Sequence, residues 1–433
     1  MCLISRSFFI ASVVIFSNSA CLEVGTGLDA GPVEPTKGEA PAIVAEGGPL
    51  HFLEADVLFS GAEKWSLPEV ELASSWRFQI PMETAESSAF VLLHSDEESL
   101  FVVNRMESPS GEIWTSGEER FFTDEQKESA FGFPAQLFSP ARTLASSYAL
   151  AQLLPSWGAE SIEVGTWTVD VKSYELDTGF LEKTEKEVSV RGEIWRRSSA
   201  NLADSRVALH LYFVGELSGN PSANVAPLDV NNAYTHAQFS QSLRVLQDIF
   251  SAAGIILLEP ELHEIVDLSL QVVDLDSRTC SGDDLDRLFL SPEANAPLLD
   301  EEGLHFFFVD RFFCLRNNVD VGAGIAGLAG GVPALMKLGA PKSGVAVATE
   351  AFLESPEVLG RIMAHEAGHA FGLFHTAENE ALYGEPVFDI LDDTPNGPGA
   401  EQNLMYFRIT SDNTLSAHQK NVLQAHPVVG DGL

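Results

Sequence analysis

The chain has 433 residues, 45% of them hydrophobic and 20% charged, which is enough for two or three domains of about 150 residues each. Its 25 Lys and Arg against 63 Asp and Glu give a formal net charge of −38 at pH 7. This acidic excess argues against a nucleic-acid partner and against docking onto anionic lipid through a basic patch, because both need clustered cations. We therefore expect an acidic, globular, multi-domain protein.

The first twenty residues have the organisation of an export signal. Arg6 supplies a positive charge, residues 8–16 form an apolar run too short to span a bilayer, and small residues lead to Ala20. Residues 1–20 are therefore predicted to be a signal peptide. Cys21 resembles the lipidated cysteine of a bacterial lipobox. Two outcomes stay open, a bacterial cell-envelope lipoprotein anchored to the membrane through this cysteine and a freely secreted protein.

Composition divides the rest of the first half into a linker and a β domain. Residues 21–48 are rich in Gly, Pro, Ala and Glu, which predicts a flexible linker. Residues 49–204 carry short alternating hydrophobic runs such as 167–171, and this pattern predicts an all-β, sandwich-like domain. Within it, residues 139–154 have helical composition and are predicted to form one helix. The sequence leaves open whether this is an accessory domain or a pro-domain removed on activation.

After residue 204 the pattern changes to mixed α/β, so residues 205–433 are predicted to form a second domain. Hydrophobic residues at helical spacing between Phe239 and Ala253 predict an amphipathic helix, which Gly254 is expected to cap. The Gly-rich segment 322–331 lacks the spacing of a phosphate loop and is predicted to be a close-packed loop. An apolar run predicts a buried strand at residues 207–214, and further strands are predicted at residues 255–258, 304–309 and 344–349.

The strongest chemical signal is a group of histidines on a predicted helix and the turn after it. His365 and His369 are four residues apart, so they share a helix face and can point ring nitrogens at one metal ion. Glu366 lies beside them, where a carboxylate can take a proton from a metal-bound water. Gly372 permits a sharp turn that brings His375 round as a third ligand. Three neutral imidazoles leave the fourth tetrahedral position of Zn²⁺ open.

The full string, residues 365–375 (HEAGHAFGLFH), resembles the HExxHxxGxxH signature of the metzincin metalloproteases. Residues 403–405 (NLM) resemble the methionine turn of that family, which implies that Met405 forms an apolar floor under the metal. Neighbouring phrases resemble the pappalysin branch, at residues 372–378, 389–395 and 415–419. The resemblance implies an α/β (α+β) zincin catalytic domain with one catalytic Zn²⁺. It also implies a zinc metalloendopeptidase that acts on proteins or peptides.

The resemblance assigns roles to individual residues. Glu366 is the expected general base, and the expected metal ligands are His365, His369 and His375. Some metzincins carry a Tyr two residues after the methionine, but here that position is Phe407. Tyr406 is then the candidate oxyanion ligand. Residues 344–349 are expected to bind an extended substrate, because metzincins hold substrates by strand addition just before the motif helix.

Three further predictions concern residues outside this motif. Some pappalysins bind structural calcium, for which this chain offers the oxygens of Asp389, Asp392 and Asp393. An Asp-Thr-Pro turn that caps a loop is the alternative. Cys280 and Cys314 are expected to form a disulfide in an exported protein or to remain two buried thiols. The other histidines show no ligand spacing and are expected to be structural or surface residues, namely His51, His94, His210, His236, His263, His305, His418 and His426.

A rival function keeps the same fold without the reaction. It is a binding or adhesion lipoprotein whose metzincin domain is catalytically silent. Intact Glu366 argues against it, because a domain freed from catalysis has no physical reason to keep this carboxylate. The sequence leaves the substrate, the cleavage site and the oligomeric state open.

Overall fold

The computed structural model describes much of the chain after residue 40. The described residues are 41–45, 51–52, 55–57, 62–115, 146–175, 184–197, 205–219, 225–276, 282, 284–295, 302–316, 318–350, 352–377, 388–389, 391–395 and 397–430. The predicted signal peptide, Cys21 and Cys280 lie outside them. Within these ranges the protein is multi-domain and mainly β, and none of their helices is long and apolar enough to cross a membrane.

Two antiparallel sheets make up the N-terminal half. Their strands are β1 (Ala42–Ala45), β2 (His51–Phe52), β3 (Ala55–Val57), β4 (Glu63–Ala73), β5 (Ser75–Met82), β6 (Ser88–His94), β7 (Leu100–Glu107), β8 (Ile113–Thr115), β9 (Ser146–Ser147), β10 (Ala149–Leu154), β11 (Gly165–Tyr174) and β12 (Val188–Arg197). One sheet has the order β2-β1-β5-β11-β7-β8, with β9 beside β7, and the other has the order β10-β6-β12-β4-β3. Alternate residues of both sheets share one core, among them Trp76, Phe78, Val91 and Ile194.

Two features of this half differ from the sequence predictions. Strand β1 lies inside the predicted linker 21–48, so the first sheet begins before residue 49. The predicted helix over residues 139–154 is wrong, because β9 and β10 occupy its described part. All six residues of β10 are buried, since one face packs inside the sandwich and the other against the C-terminal half. A strand buried on both faces loses its alternation, and its composition then looks helical.

The C-terminal half surrounds a five-stranded sheet with helices. Its elements are β13 (Arg206–Val207), β14 (Leu209–Val214), α1 (Ala237–Ala252), β15 (Ile256–Leu257), β16 (Glu261–Ile265), β17 (Val272–Asp274), α2 (Asp284–Asn295), β18 (Leu304–Val309), β19 (Arg311–Phe313), β20 (Leu315–Arg316), β21 (Val319–Asp320), β22 (Gly327–Ala329), β23 (Val345–Ala348), α3 (Pro356–Ala370) and α4 (Ala417–Ala425). The sheet order is β16-β14-β18-β23-β22, and β22 runs antiparallel to β23 while the other pairs are parallel.

Helices cover both faces of this sheet. Phe213 and Phe308 face α1 and α3, whereas Phe307 faces the opposite side and packs against Phe289 of α2. The amphipathic helix predicted from Phe239 onward is confirmed as α1, and the chain leaves it through a positive φ of 80° at Gly254. The core strands predicted near residues 207–214, 304–309 and 344–349 are also confirmed. The predicted loop at 322–331 contains the edge strand β22.

The two halves are joined by a shared hydrophobic core. Phe90 and Trp195 lie on the outer face of one sandwich sheet, and both are fully buried against C-terminal residues. The ring centroid of Phe90 is 4.2 Å from that of His426, just after α4. Arg197 donates hydrogen bonds to the backbone carbonyls of Gln424 and Val429. The sandwich therefore supports the segment that contains α4.

Truncation at this interface should destabilise both halves at once. We expect Phe90→Ala to lower the free energy of unfolding by about 3–5 kcal/mol, the usual cost of removing a buried Phe side chain. All six tryptophans lie before residue 196, so their fluorescence reports on the sandwich. The described helices all lie in the C-terminal half, so circular dichroism at 222 nm reports there. Both denaturation midpoints should fall.

Phe78→Ala is the matched comparison, because Phe78 packs inside the sandwich core and away from the C-terminal half. The helix signal should move less in Phe78→Ala than in Phe90→Ala. An unchanged helix midpoint in Phe90→Ala would show that the halves unfold independently and would contradict the shared core.

Candidate metal centre

Helix α3 presents the first two histidines of the motif. Pro356 occupies its first turn, where the missing N–H costs nothing, and Glu357 lies near the positive end of the helix dipole. Ser355 is the residue before the helix as predicted, but its side chain makes no capping hydrogen bond. The apolar face of the helix packs against α1 and the sheet. This packing leaves His365 and His369 on a second face, one turn apart.

Three histidine rings converge at one point. Nε2 of His375 lies 3.3 Å from Nε2 of His365 and 3.1 Å from Nε2 of His369. Nδ1 of His365 lies 2.7 Å from the carbonyl oxygen of Leu404, and Nδ1 of His369 lies 2.6 Å from that of Leu373. A carbonyl only accepts, so both Nδ1 atoms carry the proton and both Nε2 atoms keep a lone pair.

Burial keeps the rings of His365 and His369 neutral. It lowers the pKa of His365 to about 3 and holds the pKa of His369 well below its usual range, and the neighbouring His375 adds to both shifts. Neutral rings with lone pairs facing one another repel, and a cation between them removes the repulsion. The cluster can therefore hold a metal ion.

The third histidine reaches the cluster through the predicted turn. Gly372 has a φ of 106°, a conformation that costs glycine little. The N–H of Gly372 donates to the carbonyl of His369 at 2.8 Å, and the N–H of Leu373 donates to that of Gly368 at 2.9 Å. These bonds end α3 and reverse the chain, so that His375 returns beneath the helix.

Glu366 lies between the histidines and the edge strand. The N–H of Ala329 donates to its Oε2 at 3.1 Å. A Cβ at Gly327 would lie 2.5 Å from Cγ of Glu366, so only glycine fits where the strand passes this side chain. Burial raises the pKa of Glu366 to about 7, although the Ala329 hydrogen bond and His375 act to lower it. A carboxylate with this pKa exchanges a proton readily near neutral pH.

Met405 lies under the helix, as the predicted methionine floor requires. It is fully buried, and a Cβ on Gly368 would lie 2.5 Å from its Sδ. The backbone N–H of Met405 donates to Oδ1 of Asn403 at 2.8 Å, and its carbonyl accepts from Thr376 at 2.9 Å. The turn around Met405 is thus fixed on one side by Asn403 and on the other by the residue after His375.

A buried amide pair that the sequence analysis missed connects this turn to α4. Nδ2 of Asn403 donates to Oε1 of Gln419 at 2.8 Å, and Nε2 of Gln419 donates back to Oδ1 of Asn403 at 3.1 Å. Gln419 also completes a capping box with Ser416 at the start of α4. The Ser-x-x-Gln spacing is a readable helix-start signal. Asn403, the partner of Gln419 from 16 residues earlier in the chain, has no local sequence pattern that indicates this contact.

The acidic residues suggested for calcium form a turn instead. Oδ1 of Asp389 accepts from the N–H of Leu391 at 3.2 Å and from the hydroxyl of Thr394. Oδ2 of Asp393 accepts from the N–H of His418 at 2.9 Å, at the start of α4. Asp392 is exposed. Within the described residues these carboxylates do not form a metal-binding group, and the capped turn predicted as the alternative is observed.

Three other predictions have different outcomes. Tyr406 is partly exposed, and its ring centroid is 4.6 Å from that of Phe407; its oxyanion role stays a prediction. Cys314 is buried and disulfide-bonded, while its predicted partner Cys280 lies outside the described residues. The substrate-binding role predicted for residues 344–349 is wrong, because β23 already has β18 on one side and β22 on the other.

Comparisons with known proteins identify no family. No protein-family model matches the sequence, and no curated protein matches it. Modules of an endo-1,4-β-D-xylanase from Clostridium thermocellum, complexed with xylohexaose, match at 9% identity and a TM-score of 0.15. That match covers 48% of this chain and 34% of the other, so the chain spans about a third of that structure.

Two other solved structures match as weakly. A xylanase from Cellvibrio japonicus in complex with xylopentaose matches at 9% identity and a TM-score of 0.14, over 64% of this chain and 66% of the other. A family two carbohydrate esterase from Clostridium thermocellum in complex with cellohexaose matches at 10% identity and a TM-score of 0.12, over 57% and 73%. Scores this low carry no argument about fold or function.

The contact between Gly368 and Met405 should be necessary for metal binding. We expect Gly368→Ala to weaken metal affinity about 10- to 100-fold, the range typical of changes to groups that orient metal ligands. The reason is that the new Cβ would push Met405 away and tilt the helix that carries two ligands. Competition with a chromophoric chelator measures the affinity.

The double variant Gly368→Ala/Met405→Ala is the control, since it removes the clashing side chain. Partial recovery of affinity in the double variant relative to Gly368→Ala would identify the steric cause. An affinity in Gly368→Ala equal to that of the wild type would contradict the role given to Met405.

Proposed function

We propose that the protein is an exported zinc metalloendopeptidase with a metzincin-type catalytic domain. The observation that carries the proposal is the convergence of three buried histidine Nε2 atoms beside the carboxylate of Glu366, whose pKa is raised by burial. Met405 beneath the helix and the turn at Gly372 add support, because the same two residues complete the sequence signature. Strand β22 is the edge of the sheet and lies beside Glu366, which supports a peptide as the substrate.

The spacing of the ring nitrogens supports zinc as the metal. Nitrogens bound to tetrahedral Zn²⁺ at about 2.0–2.1 Å lie about 3.3–3.4 Å apart. The two Nε2 separations here are 3.3 Å and 3.1 Å, so little movement is needed. Imidazole ligands suit zinc, whereas calcium and magnesium prefer oxygen. Three protein ligands leave one position open, as a catalytic site requires.

The chain's own residues account for the reaction steps. A bound zinc ion supplies Lewis acidity and an acidified water. Glu366 is the group that would take a proton from the attacking water and later give it to the leaving amine. The N–H of Ala329 holds one carboxylate oxygen, which leaves the other free to orient toward the histidines. His365 and His369 keep their lone pairs available because Leu404 and Leu373 fix their tautomers.

Strand β22 is the better candidate for binding an extended substrate. It is the edge of the sheet, and its register with β23 places Leu328 in the hydrogen-bonded pair. Gly327 and Ala329 consequently direct their backbone groups away from β23. An extended peptide that pairs with this edge would run beside Glu366. Strand addition was predicted for residues 344–349, and we propose it instead for the neighbouring strand β22.

Export rests on the sequence and on one structural observation. The disulfide at Cys314 supports an oxidising compartment, because such bonds are rare in the cytosol. Anchoring through a lipid on Cys21 and free secretion remain the two forms of this proposal. The shared core between sandwich and C-terminal half favours a permanent accessory domain over a pro-domain, since removal would expose His426, whose buried ring packs against Phe90.

Replacing the proposed base should abolish cleavage and keep the metal. We expect Glu366→Gln to lower kcat/KM on an unfolded protein substrate about 10²- to 10⁴-fold, the usual contribution of a general base. Metal content per chain should not change, because the three histidines are intact. Glu357→Gln is the matched control, on the same helix but exposed and away from the histidines.

The rival function predicts a different result. If wild type and Glu366→Gln bind the same amount of zinc and neither cleaves, the protein is a binding or adhesion protein with a silent metzincin domain. Equal cleavage by the two proteins would instead show that Glu366 is not the base.

Strand addition predicts a two-residue period in the substrate. Once a cleaved peptide is known, each backbone nitrogen near the scissile bond can be methylated in turn. We expect KM to rise about 2- to 10-fold at alternate residues, because each lost hydrogen bond is worth about 0.5–1.5 kcal/mol. Methylation of the intervening nitrogens is the internal control. A rise without this period would exclude β22 as the binding strand.

A further inference from the structure

A second group of histidines lies on the C-terminal sheet, away from the centre described above. His210 is the second residue of the buried strand β14, and its register partner on β16 is Glu261. His263 follows two residues later on β16, so it lies on the same sheet face as Glu261. His305 pairs with His210 from the other side, on β18. Three neighbouring parallel strands thus bring these side chains together.

The candidate ligand atoms are already close. One atom from each of His210, Glu261 and His263 lies within 4.8 Å of the others. Nδ1 of His210 is 3.9 Å from Oε2 of Glu261. Nε2 of His263 is buried and has no hydrogen-bond partner among the residues that the structure describes. A buried ring nitrogen without a partner is costly, and a metal ion would satisfy it.

Aromatic neighbours hold both rings in place. The ring of His263 stacks on Tyr212 with centroids 4.6 Å apart, and Tyr212 in turn stacks on Phe307 at 4.7 Å. The ring of His210 stacks on His305 at 4.9 Å. Rings fixed in this way lose little conformational freedom when they bind a ligand. Glu261 is the movable member, since its side chain is 63% exposed.

The chemistry of the three groups suits a metal better than an ion pair. Burial lowers the pKa of His210 to about 4, and it also lowers the pKa of His263 against the opposing effect of Glu261. In both rings burial thus favours the neutral form, which can act as a ligand. Two neutral imidazoles and one carboxylate are a donor set that zinc accepts, with a fourth position left for water.

We propose that His210, Glu261 and His263 form a second metal site, which binds a divalent transition-metal ion such as Zn²⁺. The site lies on the sheet face that carries α2, whereas α3 and its histidines lie on the opposite face. The metal joins β14 to β16, the edge strand of the sheet. The proposal is independent of peptidase activity, because none of its residues contacts the first centre.

Metal counting in a background without the first centre tests the proposal. The double variant His365→Gln/His369→Gln removes two ligands of that centre. After equilibration with Zn²⁺ alone, we expect this protein to retain one zinc ion per chain and the wild type to retain two. With Co²⁺ in place of zinc, the same background should show a visible absorption band from nitrogen and oxygen ligands.

Variants of the second site are made in this background. His263→Gln should lose the remaining ion, and Glu261→Gln should bind it at least tenfold more weakly. Glu261 is exposed, so its variant should fold normally, which circular dichroism checks. Glu264→Gln is the matched control, since Glu264 is an exposed acid on the same strand whose side chain lies on the other face. It should bind zinc as its parent does.

Two results would overturn the site. One is a background protein that binds no zinc while remaining folded. The other is zinc binding that is equally strong in the His263→Gln, Glu261→Gln and Glu264→Gln variants. A failure of peptide cleavage by the wild type would leave the metal counts unchanged, so the two proposals fail separately.

Discussion

Two hydrogen bonds from histidine rings to backbone carbonyls are the constraint on which the metal centre depends. They fix the protonated nitrogen of His365 on Leu404 and that of His369 on Leu373, so that both Nε2 atoms face inward. Each carbonyl belongs to a segment outside α3. The turn at Gly372 therefore has to place Leu373, and the turn around Met405 has to place Leu404. Much of the local architecture follows from these two requirements.

The carbonyl of Leu404 is positioned by a chain of contacts that reaches the N-terminal sandwich. The turn before Met405 is fixed by the Asn403–Gln419 amide pair, and Gln419 belongs to α4. The end of α4 and the segment after it accept hydrogen bonds from Arg197, at the end of a sandwich strand. The sandwich is thus connected, through α4, to the turn that lies under the three histidines, and it contributes no residue to their cluster. A domain in this position stabilises the histidine cluster through packing.

Local signals in the sequence predicted the cluster of three histidines, but they did not reveal long-range strand pairing. The motif from His365 to His375 lies on one helix and one turn, so its spacing alone determines its geometry. Strand order depends on residues that lie far apart in the sequence. Residues 344–349 were therefore predicted to bind substrate as an edge strand, whereas β22 is the edge strand. For the same reason His210 and His263 looked scattered. They meet only through the register of parallel strands, which the sequence does not display.

The two histidine clusters differ in how far their ligand atoms are positioned before a metal binds, and we expect this difference to order their affinities. The ring nitrogens around His375 already have tetrahedral spacing and rigid backbone partners. At the second cluster two stacked rings are ready, but the carboxylate of Glu261 has to leave water and close from 3.9 Å. Ordering an exposed side chain costs binding free energy. We therefore expect the centre on α3 to fill first, and the proposed site on β14 and β16 to fill at higher metal concentration.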